Sequence, residues 1–251
     1  MKNHEAPPDS KLTLTATGQQ TTVDLYSPEG ADLINALYLK LSSHFRWMYQ
    51  PTWLGRPIIQ LPHDIVAMQE LIWAVKPDLI VECGVAHGGS LIFSASICQL
   101  IGKGRVVGVD VEIRPHNREA IEAHFLAGRI ELVEGSSIDP GIVETVRKKA
   151  AGAGTVLVVL DSNHTFTHVR AELEAYAPLV SPGSYIVAMD GAQALVGDTP
   201  NAKPHWKTDH PLDAIHDFLK THPEFEIDPH YTRFGVTCSP DGFLRRKEAS
   251  A

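Results

Sequence analysis

The chain has 251 residues, of which 43% are hydrophobic and 21% are charged, with a formal net charge of −8. This length is enough for one α/β domain with a sizeable core. The negative charge argues against nucleic acid or an anionic membrane as a partner. We expect a cytoplasmic protein, since no apolar stretch reaches about 18 residues and the first ten residues carry no signal-peptide pattern. Three widely separated cysteines indicate no disulfide framework.

The first 63 residues are predicted to form a polar segment, a helix and a loop that cap the site. Residues 1–22 are polar and are expected to be mobile or loosely attached. Apolar residues at four-residue spacing predict a helix over 29–50. They are Leu33, Leu37, Leu41 and Phe45. Three prolines predict a loop over 50–63.

A second unit, at 64–251, is predicted to hold an alternating series of strands and helices. Asp64 is expected to cap a helix over about 65–75. Strands are predicted at 79–83, 105–110, 130–133, 156–161 and 184–190. Helices are predicted at 90–101, 116–126, 140–150, 167–177 and 211–221. Strands separated by helices indicate right-handed crossovers and a mostly parallel sheet with helices on both faces.

The C-terminal part changes pattern and predicts an antiparallel end to the sheet. The runs 225–227 and 234–238 are strand-like, and a turn signal at 239–242 leads into Phe243-Leu244. We therefore expect an α/β fold whose parallel sheet is closed by an antiparallel C-terminal hairpin.

A glycine-rich turn follows the first of the parallel strands. Gly84, Gly88 and Gly89 stand between this strand and a helical pattern that begins at Ser90. Glycines let a ligand approach the backbone, and the helix start offers free N–H groups, although such turns also occur for structural reasons alone. The spacing is not G-x-G-x-x-G, so the dinucleotide fingerprint is absent. The pair Glu82-x-Gly84 resembles the first motif of S-adenosylmethionine (SAM) methyltransferases, with Ala86 replacing the usual middle glycine.

Polar residues also end the other predicted strands. Asp110 stands 22 residues after Gly88, the spacing at which an acid accepts hydrogen bonds from ribose hydroxyls. Ser136 and Ser137 follow the third strand, Asp161 ends the fourth and Asp190 ends the fifth. Each could be a helix cap by itself. Because ligands bind outside the carboxyl ends of parallel strands, five such ends together predict a composite cofactor and substrate site.

Asp161 and Asp190 raise the question of a metal. Two carboxylates on neighbouring strand ends can share a hard cation such as Mg²⁺, but two ligands alone are weak support for a site. His164, three residues after Asp161, is the candidate general base, and Asp161 is assigned to the catalytic group with it. His168, one helical turn further on, is the competing candidate.

With these residues in hand, the chain over about 45–246 resembles the cephalosporin hydroxylase family, Rossmann-like proteins that bind SAM and Mg²⁺. The resemblance rests on the segments 82–90, 107–112, 134–137, 160–164, 188–190 and 241–246. It implies that SAM is lined by Glu82, Gly84, Ser90, Asp110 and Ser137. It also implies that Asp161 and Asp190 hold the metal, while Ala86, Gly88, Ser136 and Asp161 complete the predicted cofactor site.

One departure from the family pattern bears on the function. The family's fifth strand tends to end in adjacent acids, whereas this chain has Met189-Asp190-Gly191. We predict a SAM-dependent, Mg²⁺-dependent O-methyltransferase that acts on a hydroxyl of a sugar or specialised metabolite. The departure keeps open a SAM-binding accessory protein without turnover, and the fold keeps open an NAD-linked oxidoreductase. The expected partner is a small-molecule hydroxyl acceptor, with a homo-oligomer left open.

Overall fold

The computed structural model describes residues 10–16 and 18–248, and its centre is a seven-stranded mixed sheet. The strands of this sheet are β5 (Leu79–Cys83), β6 (Arg105–Asp110), β7 (Ile130–Glu134), β8 (Val156–Leu160), β9 (Tyr185–Ala188), β10 (Phe225–Ile227) and β11 (Phe243–Arg246). Their order is β10-β11-β9-β8-β5-β6-β7. The strands β5 to β9 are parallel, β11 is antiparallel to β9, and β10 is antiparallel to β11. The predicted fold class is confirmed.

Helices cover both faces of the sheet. They are α1 (Pro28–Phe45), α2 (Pro62–Val75), α3 (Gly89–Ile101), α4 (Pro115–Glu122), α5 (Pro140–Ala150), α6 (Phe166–Tyr176), α7 (Gln193–Val196) and α8 (Pro211–Thr221). Side chains alternate along each strand: Ile80 joins the core under α2 and α3, whereas Leu79 and Val81 join the core under α5, α6 and α8. Burial on both faces explains why these strands read as continuous apolar runs.

The N-terminal region contains structure that the sequence pattern did not predict. β1 (Lys11–Ala16) and β2 (Gln19–Asp24) form an antiparallel hairpin, while residues 1–9 lie outside the described residues. α1 ends at Phe45, earlier than predicted, because Arg46 adopts a left-handed conformation with φ of 58°. The predicted loop at 50–63 includes a short hairpin of β3 (Thr52–Trp53) and β4 (Arg56–Pro57).

Two sequence predictions about the ends of the second unit are wrong, for one reason. Asp64 does not cap α2, which starts at Pro62. Its buried carboxylate instead accepts hydrogen bonds from Thr237 Oγ1 at 2.5 Å and from the Cys238 backbone N–H at 2.8 Å. Residues 234–238 are thereby held against α2 and form no strand, so β11 pairs with β10 rather than with this segment.

The described helices are all too short or too polar to cross a lipid bilayer.

Candidate active site

The turn after β5 is shaped by a close approach between two strand ends. Gly84 has a φ of +106°, and a Cβ added there would lie 2.0 Å from the carbonyl oxygen of Asp161. Glycine is therefore required at this position both for its backbone conformation and for space. The close approach brings the end of β8 directly against the turn.

Asp110, at the end of β6, is bonded to the same turn. Its Oδ2 accepts hydrogen bonds from the backbone N–H groups of Val85 (2.8 Å) and Ala86 (3.2 Å), and its Oδ1 accepts from Glu112 N–H (3.2 Å). Ala86 holds a φ of 45°, a left-handed conformation that disfavours residues with a Cβ. Asn117 Nδ2 donates to the Ala86 carbonyl at 2.8 Å. These bonds stabilise an alanine where the related motif has glycine.

Arg56 and Asn117 hold the turn from outside, and neither was identified from the sequence. The Arg56 guanidinium donates to the His87 carbonyl at 3.0 and 2.5 Å and to Asn117 Oδ1 at 3.0 Å. Arg56 lies in the segment 50–63, where prolines were the only structural signal in the sequence. Its partner His87 is 31 residues further along the chain. Local pattern could not have found this contact.

Glu82, Gly88 and Ser90 lie behind the turn. The Ser90 hydroxyl donates a hydrogen bond to the buried Glu82 carboxylate. Burial raises the Glu82 pKa to about 7, and the Ser90 hydrogen bond opposes this rise. Gly88, with φ of +80°, leaves the space that the Ile121 side chain fills. These residues support the turn.

A cavity of about 530 Å³, which we call the glycine-loop cavity, opens above these strand ends. Six of the residues predicted to bind the cofactor line it: Gly84, Ala86, Asp110, Ser136, Ser137 and Asp161. Its size is within the range of small-molecule and cofactor sites. The structure thus brings together in one wall residues that are spread over 78 positions of the sequence.

Asp161, His164 and Asp190 meet at one end of this cavity. One ligand atom from each lies within 4.8 Å of the other two, and His164 Nε2 is 3.2 Å from Asp190 Oδ2. Enclosure and the neighbouring Asp190 charge raise the pKa of Asp161 well above its usual range. A bound divalent cation would relieve this repulsion, so the two carboxylates fit such an ion.

Met189 does not supply a third acid. Its side chain is 3% exposed and lies in the core, where Ser239 Oγ is 3.3 Å from its sulfur. Asp190, with φ of 60°, is the residue that turns toward the cavity. The departure from the family pattern therefore removes one oxygen donor from the end of β9.

A buried network beside the cavity was missed at the sequence level. Glu172 is fully buried, and its Oε1 accepts from Ser162 Oγ at 2.6 Å and lies 3.4 Å from His168 Nε2. His168 Nε2 is also 3.1 Å from Ser137 Oγ. The network links Ser162, the residue after Asp161, to Ser137 beyond the end of β7. The sequence did not indicate that Glu172 is buried, because a single Glu in a helical pattern normally faces solvent.

A second cavity, of about 600 Å³, lies on the other side of His164 and Asp190. We call it the helical cavity, because α1, α7 and the chain around Trp206 form its walls. Six residues line both cavities: Met48, Tyr49, Ser162, Asn163, His164 and Asp190. The two cavities therefore meet where the titratable groups converge.

Comparison with known proteins places this arrangement in a family. The family model described as rhamnosyl O-methyltransferase/CmcI matches residues 45–247. The chain belongs to this family. The resemblance predicted from the sequence motifs is confirmed.

Relatives within the rhamnosyl O-methyltransferase/CmcI family match most of the chain. The rhamnosyl O-methyltransferase of Mycobacterium tuberculosis (strain ATCC 25618 / H37Rv) is 30% identical over 221 residues, which are 81% of this chain and 83% of that protein. The protein of the same name from Mycobacterium leprae (strain TN) is 28% identical over 214 residues, covering 81% and 89%.

Solved structures of CmcI share the fold. An apo structure has a TM-score of 0.57 at 22% identity and covers 80% of this chain and 78% of that chain. A CmcI structure with Mg and SAM also has a TM-score of 0.57, at 20% identity, and covers 79% and 77%.

Proposed function

We propose that this chain is a SAM-dependent O-methyltransferase that acts on a hydroxyl of a small molecule, with a divalent cation at its centre. The observation that carries the proposal is that two cavities meet at His164 and Asp190, with Asp161 beside them in the wall of the glycine-loop cavity. One cavity holds the turn and strand-end residues that suit a cofactor, and the other is open for an acceptor. Family membership supports the same class of enzyme.

The glycine-loop cavity is the proposed SAM site. Gly84 and Ala86 present the backbone of the turn, and Asp110 faces the same space with lone pairs left for ribose hydroxyls. Ser136 and Ser137 complete the wall from the end of β7. Behind the turn, Glu82, Gly88 and Ser90 fix its shape.

Asp161 and Asp190 are the proposed metal ligands, and His164 is the proposed base. When bound, SAM supplies an electrophilic methyl group and Mg²⁺ supplies positive charge that lowers the pKa of a coordinated hydroxyl. If Nε2–H of His164 donates to Asp190 Oδ2, the tautomer leaves Nδ1 free to accept the hydroxyl proton. Asp190 Oδ1 then remains for the cation.

The acceptor is proposed to be a sugar hydroxyl or a similar hydroxyl of a specialised metabolite. The names of the relatives, rhamnosyl O-methyltransferases, support a sugar. We propose that the segment 1–63 caps this site, in line with Met48 and Tyr49, which line both cavities. We also propose a cytoplasmic enzyme, and a homo-oligomer stays a prediction.

A SAM-binding accessory protein without turnover is the second candidate, because Met189 removes an acid from the site. Isothermal titration with SAM, NAD and Mg²⁺, followed by a methyl-transfer screen over hydroxylated metabolites, tests both candidates. SAM and Mg²⁺ binding with methyl transfer supports the enzyme. SAM binding without transfer to any acceptor supports the accessory protein, and NAD binding in place of SAM contradicts both.

A further inference from the structure

Asp190, one of the two proposed cation ligands, stands in a backbone conformation that needs support. Its φ is 60°, in the left-handed region that a Cβ disfavours. Such a conformation persists only where the surrounding structure fixes it. Because the Met189 side chain lies in the core, Asp190 is the acid that the end of β9 offers to the cavity. Whatever fixes this turn therefore fixes one of the two carboxylates.

The turn after Asp190 rests on the C-terminal segment 237–240. The Ala192 backbone N–H donates a hydrogen bond to the Cys238 carbonyl at 3.0 Å. A Cβ added to Gly191 would lie 3.1 Å from the carbonyl oxygen of Pro240, so the two backbones pack closely. The position of the turn thus depends on where this segment lies.

Asp64, in the first turn of α2, holds the segment 237–240 in turn. Its side chain is buried, and both of its carboxylate oxygens are used. Oδ2 accepts from the Cys238 backbone N–H at 2.8 Å, and Oδ1 accepts from Thr237 Oγ1 at 2.5 Å. Thr237 Oγ1 also accepts from the Ser239 backbone N–H at 2.9 Å. Three consecutive residues are therefore tied to one buried carboxylate.

Cys238 connects the two sets of contacts. Its N–H donates to Asp64, while its carbonyl accepts from Ala192, two residues after Asp190. Cys238 lines the helical cavity, whereas Asp64 lines neither of the two cavities. Asp64 lies more than 120 residues before Asp190 in the sequence, yet one residue separates their contacts in the fold. Its hydrogen bonds therefore reach the site only through another residue.

We infer that Asp64 is a positioning residue of the proposed cation site: through Cys238 it holds the turn that places Asp190 beside Asp161 and His164. This inference rests on the cation site of the proposed function. Residues that orient metal ligands commonly change metal affinity about 10- to 100-fold when they are replaced. With one acid missing from the end of β9, cation affinity depends on the placement of Asp190.

A direct effect of the Asp64 charge on the cation is the alternative. Burial raises the pKa of Asp64 to about 6, and the charge of Asp190 adds to the rise. Asp64 is therefore ionised at pH 8, and a negative charge near Asp190 would attract a cation without any positioning. The experiment has to separate the hydrogen bonds of Asp64 from its charge.

The test measures cation binding directly. Mn²⁺, which carboxylates bind as they bind Mg²⁺, is titrated into the full-length protein at pH 8, and free Mn²⁺ is followed by its EPR signal. SAM affinity and Tm are measured on the same proteins. The variants are Asp64→Ala, Asp64→Asn and Thr237→Val. Both variants of Asp64 lack the charge, but Asn can accept from the Cys238 N–H and donate to Thr237 Oγ1. The difference between them isolates the hydrogen bonds.

Tyr185→Phe is the matched control for Thr237→Val. Each variant removes a hydroxyl that donates to a carboxylate, and Tyr185 Oη donates to Asp228 Oδ2 at 2.8 Å. Tyr185 begins β9, so it lies at the end of the strand opposite to Asp190. Its loss should lower Tm and leave Mn²⁺ affinity unchanged.

We expect the Mn²⁺ Kd to rise about 10- to 100-fold in Asp64→Ala and about 3-fold in Thr237→Val. In Asp64→Asn it should be at least about fivefold lower than in Asp64→Ala. SAM affinity should stay within about twofold of wild type in every variant. Equal Mn²⁺ affinity in the two Asp64 variants would show a charge effect and overturn the inference. A lowered Tm with normal Mn²⁺ affinity would show a structural role and also overturn it.

Other outcomes separate the inference from the function beneath it. If Asp64→Ala does not fold, Thr237→Val decides, and a Mn²⁺ Kd equal to that of Tyr185→Phe would overturn the inference. A wild-type protein that binds SAM and transfers methyl groups but does not bind Mn²⁺ would overturn the inference and leave methyl transfer standing. Mn²⁺ binding that depends on Asp64 as expected, in a protein that does not bind SAM, would support the inference and overturn the proposed function.

Discussion

The glycine-loop cavity and the helical cavity share a boundary but are built differently. The first is formed by the ends of β5 to β8. Hydrogen bonds hold its backbone in place, such as those from the Val85 and Ala86 N–H groups to Asp110 Oδ2. The second is formed by α1, α7 and irregular chain. Strand ends of the sheet fix the positions of the residues in the first cavity, whereas the residues of the second are positioned by the packing of helices.

This difference separates the effects that mutations should have. Changes at the cofactor-facing residues of the glycine-loop cavity should alter SAM affinity, changes in the helical cavity should alter acceptor affinity, and changes at the proposed reaction centre of Asp161, His164 and Asp190 should alter the rate. A variant that changes a different quantity from the one assigned to its region would contradict this assignment.

The largest effect is expected at the proposed reaction centre, in Asp161→Asn. Removing a carboxylate from the proposed metal pair should lower kcat by at least about 10³-fold, because charge stabilisation by a metal is worth several kcal/mol. EDTA should abolish wild-type turnover, and excess Mg²⁺ should restore it. Asp32→Asn, which changes an exposed carboxylate of α1, is the control and should leave turnover normal. Turnover that survives chelation would remove the metal and make both carboxylates acceptors of substrate hydrogen bonds.

The next effect concerns His164. His164→Ala should lower kcat by about 10²- to 10³-fold, as expected for loss of a general base, with little change in SAM affinity. His168→Ala is the comparison. Because His168 contacts buried Glu172, its loss should lower Tm and should change kcat only a little. A normal kcat with a lowered Tm in His164→Ala would end its assignment as the base.

A smaller effect is expected behind the turn, in Glu82→Gln. The Glu82 pKa is raised from 4.5 to about 7, so the folded state favours the protonated form. The stability that this provides is complete below about pH 4.5 and is lost as pH rises through 7, a change of about 3 kcal/mol. Gln cannot titrate, so the Tm of the variant should exceed that of the wild type by about 5–10 °C at pH 8 and by much less at pH 5.

The control for this measurement is Glu119→Gln, an exposed site in α4. Its Tm should follow the wild-type curve at each pH. Parallel curves for Glu82→Gln and wild type, without SAM, would show that Glu82 does not titrate with folding.

The sequence predicted the sheet well because burial on both faces leaves a strong local pattern. The bounds of β6, α5 and α8 were predicted to the residue, and the glycine turn was placed correctly. The prediction failed at 234–238, where the residues looked like a strand but bond to Asp64, more than 170 residues away. Period and propensity carry no information about such a contact.

Local sequence pattern also decides which residues of the candidate site could be predicted. Strand ends could be read from the sequence, so Gly84, Asp110 and Asp161 were expected at one site, whereas Met48 and Tyr49, which also line the glycine-loop cavity, were not. The helical cavity depends on how α1 packs near α7, and Ser42, which lines it, is one serine in an amphipathic helix. Arg56 and Glu172 likewise act through partners that only the fold brings near.

The smallest effect concerns Asp110 and tests whether a residue of the glycine-loop cavity alters SAM affinity alone. Asp110→Ala removes both the proposed ribose contact and the acceptor for Val85 and Ala86 N–H. SAM affinity should fall about tenfold, because a charge-assisted hydrogen bond is worth about 1.5–3 kcal/mol and water replaces part of it. Asp110→Asn keeps the shape and one acceptor oxygen, so its turn should stay closer to native while the ribose contact weakens. Calorimetric titration with SAM decides: the affinity for an acceptor identified by the methyl-transfer screen should be unchanged in both variants, and unchanged SAM affinity in a folded Asp110→Ala variant would remove Asp110 from the cofactor site.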